Sequence, residues 1–313
     1  MINKILAPLD GSELDACVLP HVVAIAQAMD ASITLLRVLE SQEVQAGIIN
    51  PLAWQLYKME AQSALATIGA RVSQGQEPLP TLTLLEGRTA ESIIDYAQKD
   101  NFDLVVLNSH GHGDLSGSNV SDVAQTVVAR AGKSILLVRA NQACQASEPS
   151  AWHHFRYRRI LVALDGSPRA ESILPVASVL AQHQGAELIL AHVVARPEMM
   201  PYMPLTAAET AMLDQIVERN QKQAVQYFAK LQARLLPTPQ LYLEVNHHVP
   251  ARLHKLVEQV KADLVILCAH GASVQPQWPY GNVTTNFIAY GTTPLLILQD
   301  LTLQDMANAV HSV

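Results

Sequence analysis

The sequence has few charges, few aromatic side chains and few cysteines. Charged residues make up 16% of the 313 residues and aromatic residues 5%, whereas 49% are hydrophobic. This balance excludes a disordered chain and indicates buried sheets covered by helices. The three cysteines, Cys17, Cys144 and Cys268, have no CxxC spacing, and their odd number cannot complete a disulfide framework. We interpret them as reduced thiols of a cytosolic protein.

The charge balance and the lack of long apolar runs exclude two further classes. A net charge of -7 and a pI near 5.9 do not provide the basic surface that sequence-independent nucleic-acid binding needs. The one basic stretch, HHFRYRR at 153–159, is short, and we expect it to be solvated linker charge. No apolar run approaches the roughly 18 residues of a membrane span, and the first residues lack the features of a signal peptide. We therefore predict a cytoplasmic protein that binds neither nucleic acid nor membrane.

The chain repeats itself. KILAPLDGSELDACVLP from Lys4 matches RILVALDGSPRAESILP from Arg159 at an offset of 155 residues. FDLVVLNSHG from Phe102 matches ADLVILCAHG from Ala262 at an offset of 160 residues. Two copies of one domain, each with its own hydrophobic core, explain the length. We predict a first domain over 1–139, a linker over 140–156, a second domain over 157–300 and a tail over 301–313.

Each copy alternates apolar strands with helical patterns. Continuous apolar strands between helices indicate parallel strands that are buried on both faces and joined by right-handed crossovers. We predict an α/β fold of two doubly wound domains, each with a parallel five-stranded sheet. The last strands, SILLV and PLLIL, would be an aggregation risk if left uncovered. We therefore expect the two domains to pair within the molecule through 135–138 and 295–298.

These residues resemble the universal stress protein family in its tandem, two-domain form. The resemblance covers nearly the whole chain and rests on ILAPLDGS and ILVALDGS, on DLVVLNSHG and DLVILCAHG, and on the order of the elements between them. It implies flavodoxin-like, Rossmann-type domains that pair as a dimer or, in a tandem chain, within one molecule; a homodimer of whole chains is left open. Many members bind ATP or AMP through the first-strand Asp, the end of the second strand, and a G-x2-G-x9-G-S/T loop after the fourth.

The resemblance places candidate nucleotide-binding residues at the carboxyl ends of the strands. Ligands of open α/β sheets bind there, glycines let backbone amides approach phosphate, and a helix N-terminus adds partial positive charge. In the first copy the pattern gives Asp10, Val38 and Gly111, and we add Gly113, Ser118 and Ser121 as donors that a reshaped loop could present. The candidates of the second copy are Asp165, Val193, Gly271, Gly281 and Asn282.

Both loops depart from the family pattern. In the first copy Asp114 takes the second glycine position, where a carboxylate would repel phosphate oxygens, and Ala124 takes the third. In the second copy Val274 takes the second position and two prolines remove amide donors, although Gly281 and Asn282 are in register with the closing pair. We predict a stress-response binding or regulatory module without catalysis, with degenerate ATP-binding loops. The alternative is an ATP or AMP sensor, or a slow ATPase, that uses the first domain.

Two other constellations carry weaker signals. His247 and His248 end the third strand of the second copy, near His270 and Cys268, which suggests zinc; neighbouring strand residues point to opposite faces, however, so we predict no metal. A serine next to His110 suggests a hydrolase, but GxSxG is absent, and we do not expect sequence adjacency to place the hydroxyl on the imidazole. We predict no catalytic residue.

Overall fold

The computed structural model describes residues 1–40, 50–74, 78–110, 120–139, 149–196, 206–272 and 279–300. The predicted tail, 301–313, and the first part of the predicted linker, 140–148, lie outside these ranges. The first copy of the repeat contains the strands β1 (Lys4–Leu9), β2 (Ser32–Leu39), β3 (Thr81–Glu86), β4 (Leu104–Asn108) and β5 (Ser134–Val138). Its helices are α1 (Asp15–Met29), α2 (Pro51–Ser73), α3 (Thr89–Lys99) and α4 (Asp122–Arg130).

The second copy follows a short 3-10 helix at Pro149–His154 and repeats this order, except that two helices follow its first strand. Its strands are β6 (Arg159–Ala163), β7 (Glu187–Ala195), β8 (Gln240–Asn246), β9 (Leu264–Cys268) and β10 (Leu295–Leu298). Its helices are α5 (Pro168–Glu171), α6 (Leu174–Gln184), α7 (Ala207–Arg234), α8 (Val249–Val260) and α9 (Asn282–Tyr290). Within the described ranges, none of the helices combines the length and the hydropathy that a membrane crossing needs.

The longest helix of each copy begins where local chemistry favours a start. The Asn50 side chain accepts a hydrogen bond from the Leu52 amide at 2.9 Å, and Pro51 occupies the first turn of α2. In the second copy Thr206 and Glu209 form a capping box ahead of α7. These equivalent helices pack on equivalent strands, α2 on β2 and β3 and α7 on β7 and β8.

The strands form one sheet of ten, in the order β3-β2-β1-β4-β5-β10-β9-β6-β7-β8. Pairing is parallel within each copy, so the predicted doubly wound α/β fold is confirmed. The two halves join where β5 and β10 pair antiparallel, with Leu136 opposite Leu296. The apolar last strands therefore cover each other, as their sequences led us to expect.

The hydrophobic cores are divided by the face of the sheet, not by the domain. One buried cluster includes Val22 of α1 and Leu180 of α6, and the other includes Ile93 of α3 and Leu256 of α8. Alternate residues of one strand enter different clusters, as at Leu296 and Ile297 of β10. The expectation of a separate core for each copy is wrong, because a continuous sheet carries each packed layer across both halves.

On one face the seam between the halves is sealed by a buried aromatic cluster. The Nδ1 atom of His21 in α1 lies 2.6 Å from the Tyr157 hydroxyl oxygen, and Phe155 packs edge-on against both rings. Trp152 is also buried. Burial lowers the pKa of His21 to about 3. Part of the stretch expected to be solvated linker is therefore packed core, since its aromatic residues alternate with exposed residues such as Arg156.

On the other face two side chains cross the seam. The Tyr280 hydroxyl donates a hydrogen bond to the Val128 carbonyl of α4 at 2.7 Å, and the ring is buried. In the opposite direction Arg139 donates to the Phe287 and Ile288 carbonyls at the end of α9, both at 2.8 Å. The two copies therefore contact each other next to the elements that build their ligand cavities.

Candidate functional site

Each half of the sheet has a cavity at the carboxyl ends of its strands. The strand order reverses between β1 and β4 in the first copy and between β6 and β9 in the second. Such switch points are where open α/β sheets bind ligands. The first cavity has a volume of about 910 Å³ and the second about 700 Å³. Both are within the size range of small-molecule sites.

All the candidate residues that the structure describes line one of these cavities. Gly111, Gly113 and Ser118 lie outside the described residues. The first cavity is lined by Asp10, Val38 and Ser121. The second is lined by Asp165, Val193, Gly271, Gly281 and Asn282.

A tight turn after β1 forms the floor of the first cavity. Asp10 Oδ1 accepts the Ser12 amide at 2.9 Å, and the buried Asp15 carboxylate accepts the amides of Asp10 and Gly11 at 3.2 and 2.9 Å. Burial, followed by the neighbouring Asp10 charge, raises the pKa of Asp15 to about 7, even though the two amide hydrogen bonds act in the opposite direction. The turn thus holds a carboxyl group that exchanges its proton near neutral pH.

The walls of the first cavity contain residues that sequence reasoning missed. Arg37 of β2 and two aromatic residues of α2, Trp54 and Tyr57, line it. The two rings lie 5.7 Å apart, and Trp54 donates a hydrogen bond to the Glu86 carboxylate. The signal was available in the sequence, because Arg37 precedes Val38 and the aromatic residues lie one helical turn apart in a chain with only three tryptophans.

The N-terminus of α4 closes one side of the first cavity. Ser121 is the N-cap residue, and its hydroxyl accepts the Ala124 amide at 3.3 Å. Asp122 follows in the first helical turn and lines the cavity. This helix end therefore already contains a capping oxygen and a carboxylate, which are the groups that compete with a bound phosphate for positive charge.

In the second cavity Asp165 bonds to the loop that follows β9. Its Oδ1 accepts the Ser167 amide at 2.9 Å, and its Oδ2 accepts the Ala272 amide at 2.6 Å. The contact is close, because a Cβ atom on Gly271 would lie 2.1 Å from Oδ2. Although burial alone would raise it, these hydrogen bonds hold the pKa of Asp165 below its ordinary value. A backbone donor at the expected phosphate position is therefore bonded to a carboxylate of the protein.

A second carboxylate, Asp300, is buried beside the same cavity. Its oxygens lie 2.8 Å from His270 Nδ1 and 2.8 Å from Arg169 Nη1. Although burial acts to raise it, the hydrogen bonds with His270 and Arg169 hold the pKa of Asp300 below its ordinary value. Burial, followed by the Asp300 charge, raises the pKa of the neighbouring Cys268 thiol to about 12, so this cysteine is not a nucleophile.

The adjacent Ser109 and His110 correct one expectation. The Ser109 hydroxyl oxygen lies 2.8 Å from His110 Nδ1, so sequence neighbours do place a hydroxyl on an imidazole here. The reason is the turn at the end of β4, after which the two side chains no longer alternate across the sheet. Ser109 is fully buried, however, and does not line the cavity. The pair lacks the exposed nucleophile of a hydrolase.

The histidines of the second copy do not gather around a metal. His247 and His248 are exposed at the start of α8, whereas His270 is buried against Asp300. Among the described residues, no group of three or more His, Cys, Asp and Glu side chains is arranged to hold a metal ion.

Two doubly wound halves of one sheet, each with a cavity at its switch point, define a tandem α/β protein. The model of the universal stress protein family matches residues 1–139 and 156–299. The chain therefore belongs to the universal stress protein family.

The individual relatives share little sequence identity with this chain. Universal stress protein MJ0531 of Methanocaldococcus jannaschii is 27% identical over 143 residues, which are 44% of this chain and 83% of that protein. A solved universal stress protein from Archaeoglobus fulgidus covers 96% of this chain and 100% of its own, with 15% identity and a TM-score of 0.62. Another solved family member, in complex with cAMP, covers 44% of this chain and 97% of its own, with 16% identity and a TM-score of 0.34.

Proposed function

We propose that the protein is a cytosolic stress-response binding module with one ligand cavity in each domain and no catalytic activity of its own. Its loops do not hold the phosphates of ATP in the way that the family pattern implies. The observation that carries this proposal is the Asp165 carboxylate on the Ala272 amide, at 2.6 Å. A phosphate at this place would have to displace a charge-assisted hydrogen bond and then lie beside the displaced carboxylate.

The first copy supports the same conclusion by different means. Ser121 caps the helix whose free amides would attract phosphate, and Asp122 adds a negative charge there. Ser109 is buried and burial keeps Cys268 in its thiol form, so neither of these two described residues is an activated nucleophile. Binding without turnover is therefore the function that the geometry supports best.

We also propose domain boundaries at 1–139 and 157–300, joined by 140–156. The second half of this connection is held against α1 through Trp152, so it serves as part of the seam. The cytosolic assignment is supported by Cys17 and Cys268, which are buried and are not joined in a disulfide.

Calorimetric titration with magnesium ATP, AMP and adenosine tests the proposal. We expect ATP to bind no more tightly than AMP, because the Ala272 amide is held by Asp165 and the Ala124 amide by the Ser121 hydroxyl. We expect Asp165→Ala to strengthen ATP binding, since this variant releases the Ala272 amide. Tight binding of two ATP molecules to the unmodified chain would contradict the proposal, as would hydrolysis that scales with the protein concentration.

A second candidate function, an adenine-nucleotide sensor in the first domain, is favoured by one observation. The first cavity combines the aromatic rings of Trp54 and Tyr57 with Asp10 and Arg37, which are groups that can contact a base, a ribose and a phosphate. The same titration tests it. Binding of one AMP per chain that is lost in Asp10→Ala, but retained in the equivalent Asp165→Ala, would establish it.

A further inference from the structure

We propose that Arg37 is the anion receptor of the first cavity, and that this cavity takes a planar ligand carrying one carboxylate or phosphate group. The ligand's charge is then recognised from the β2 wall rather than by the loop after β4. This inference rests on the proposed function, because it requires a ligand in the first cavity. It adds to the proposed function the residue that recognises the ligand and the chemical class of that ligand.

Arg37 has an electrostatic neighbour in Asp15 but no hydrogen-bond partner for its buried Nε atom among the described residues. The salt bridges between described residues do not include it, although Asp10 and Asp15 lie on the same cavity. It is also the one Arg or Lys among the described residues that line this cavity. A guanidinium with a buried donor and no acceptor is unusual, and a ligand oxygen bound at the other guanidinium N–H groups would supply the missing partner.

The turn after β1 is shaped to admit the guanidinium. Gly11 has a φ of +76°, and a Cβ atom there would lie 2.0 Å from Arg37 Nη1. Any other residue at this position would push the guanidinium away, quite apart from the strain of the left-handed backbone. Gly11 therefore provides both the turn and the space in which the Arg37 head group lies against the backbone.

The second copy provides an internal comparison at the same positions. His192 takes the place of Arg37, and its Nδ1 atom lies 2.7 Å from the Leu164 carbonyl oxygen. A Cβ atom on Gly166, the counterpart of Gly11, would meet nothing within 4 Å. The equivalent of Asp15 is Ala170, which has no charge to balance. Only the first copy therefore combines an arginine at this position with a glycine that makes room for its head group. The second copy uses the same position for an internal hydrogen bond.

The acidic neighbours of Arg37 do not remove its availability. Asp15 is committed to the Asp10 and Gly11 amides, and Asp10 accepts the Ser12 amide. A guanidinium can present two parallel N–H groups to a carboxylate or a phosphate, which gives both charge and orientation. The aromatic pair Trp54 and Tyr57 in the same cavity offers a surface on which a planar group can stack.

The test is a calorimetric comparison of three probes: AMP for the phosphate class, indole-3-acetate for the carboxylate class, and adenosine as the neutral control. Binding to the unmodified chain is compared with Arg37→Gln, Arg37→Lys and, as the matched control in the second copy, His192→Gln. We expect one anionic probe to bind, and to lose at least about tenfold in affinity in Arg37→Gln. The affinity of Arg37→Lys for this probe should lie between those of the unmodified chain and Arg37→Gln. The His192→Gln substitution should leave the affinity unchanged, and the adenosine titration should be the same for all variants. Which probe binds decides between phosphate and carboxylate.

Two results would overturn the inference. Equal affinity of the unmodified chain and Arg37→Gln for the anionic probe would mean that another group holds the charge. Failure of both anionic probes to bind at millimolar concentration would mean that the cavity does not select this class. Neither result bears on the proposed function, which is tested by the ATP titration and the Asp165→Ala variant. A thermal unfolding curve of each variant establishes that a loss of affinity is not a loss of fold.

Discussion

The carboxylate of Asp165 accepts a hydrogen bond from the Ala272 amide at 2.6 Å and so connects the first turn of the second domain to the loop after its fourth strand. The connection spans more than a hundred residues of chain, and the same carboxylate also holds the Ser167 amide. One side chain therefore has both a structural role and an effect on what the cavity can bind. The consequences for stability and for binding can be measured separately.

Replacing Asp165 with Ala should lower the free energy of unfolding by about 1.5 to 3 kcal/mol, because hydrogen bonds to a charged group are lost. Urea unfolding measures this change. Asp214→Ala is the control, since Asp214 is an exposed carboxylate whose ion pair with Arg196 lies on the surface and should contribute less than about 1 kcal/mol. Equal effects of the two substitutions would show that Asp165 does not anchor the loop.

Asp15 should make stability fall as the pH rises from 3.8 to about 7. Its pKa is higher in the folded protein than in the unfolded chain, so in this window the folded state binds more protons and loses its advantage as they dissociate. Asp15→Asn should remove this slope from the pH dependence of urea unfolding. A slope that is unchanged in Asp15→Asn would contradict the burial of a titrating carboxyl group in this turn.

His21 should act in the opposite direction. Its pKa is lowered from 6.5 to about 3 by burial, so stability should decrease as the pH falls from 6.5 and the unfolded chain takes up a proton that the folded protein excludes. Asp15 contributes with the opposite sign in an overlapping pH window. The two contributions are therefore separated by measuring the Asp15 and His21 variants individually. We expect His21→Leu to flatten the loss at low pH in guanidinium unfolding. No difference from the parent would show that His21 is already accessible to solvent.

The seam should be sensitive to one hydroxyl group. Tyr280→Phe removes the hydrogen bond to the Val128 carbonyl and should destabilise the protein by about 1 kcal/mol. Tyr290→Phe is the matched control, because Tyr290 ends the same helix, α9, and is 71% exposed. Thermal unfolding of both variants measures the difference. If the two melt together, the Tyr280 hydroxyl does not hold the halves to each other.

The repeat, the alternation of strands and helices and the pairing of the last strands could be predicted from sequence, because each depends on a local pattern. SILLV and PLLIL are apolar on both faces, and an edge strand of that kind needs cover. The division of the cores could not be predicted in this way. It depends on the strands of both copies forming one continuous sheet, so that Leu296 and Ile297 of one strand enter cores shared by both halves.

The candidate site could be predicted only where the family pattern names a position. Asp10 and Asp165 were found because they follow the first strand of each copy, and both line a cavity. The hydrogen-bond partners of these carboxylates could not be predicted from sequence, since the partner of Asp165 is an amide 107 residues away. Arg37 could have been noted because it precedes Val38 in the sequence, but its buried Nε atom and the space above Gly11 are visible only in the structure.

The adenine nucleotide that the purified protein releases on denaturation tests the central claim most directly. In each copy one backbone amide beside the cavity is already bonded to a side chain of the protein, Ala124 to Ser121 in the first and Ala272 to Asp165 in the second. We therefore expect chromatography of the released small molecules to show no stoichiometric ATP. Release of one or two ATP molecules per chain would contradict it.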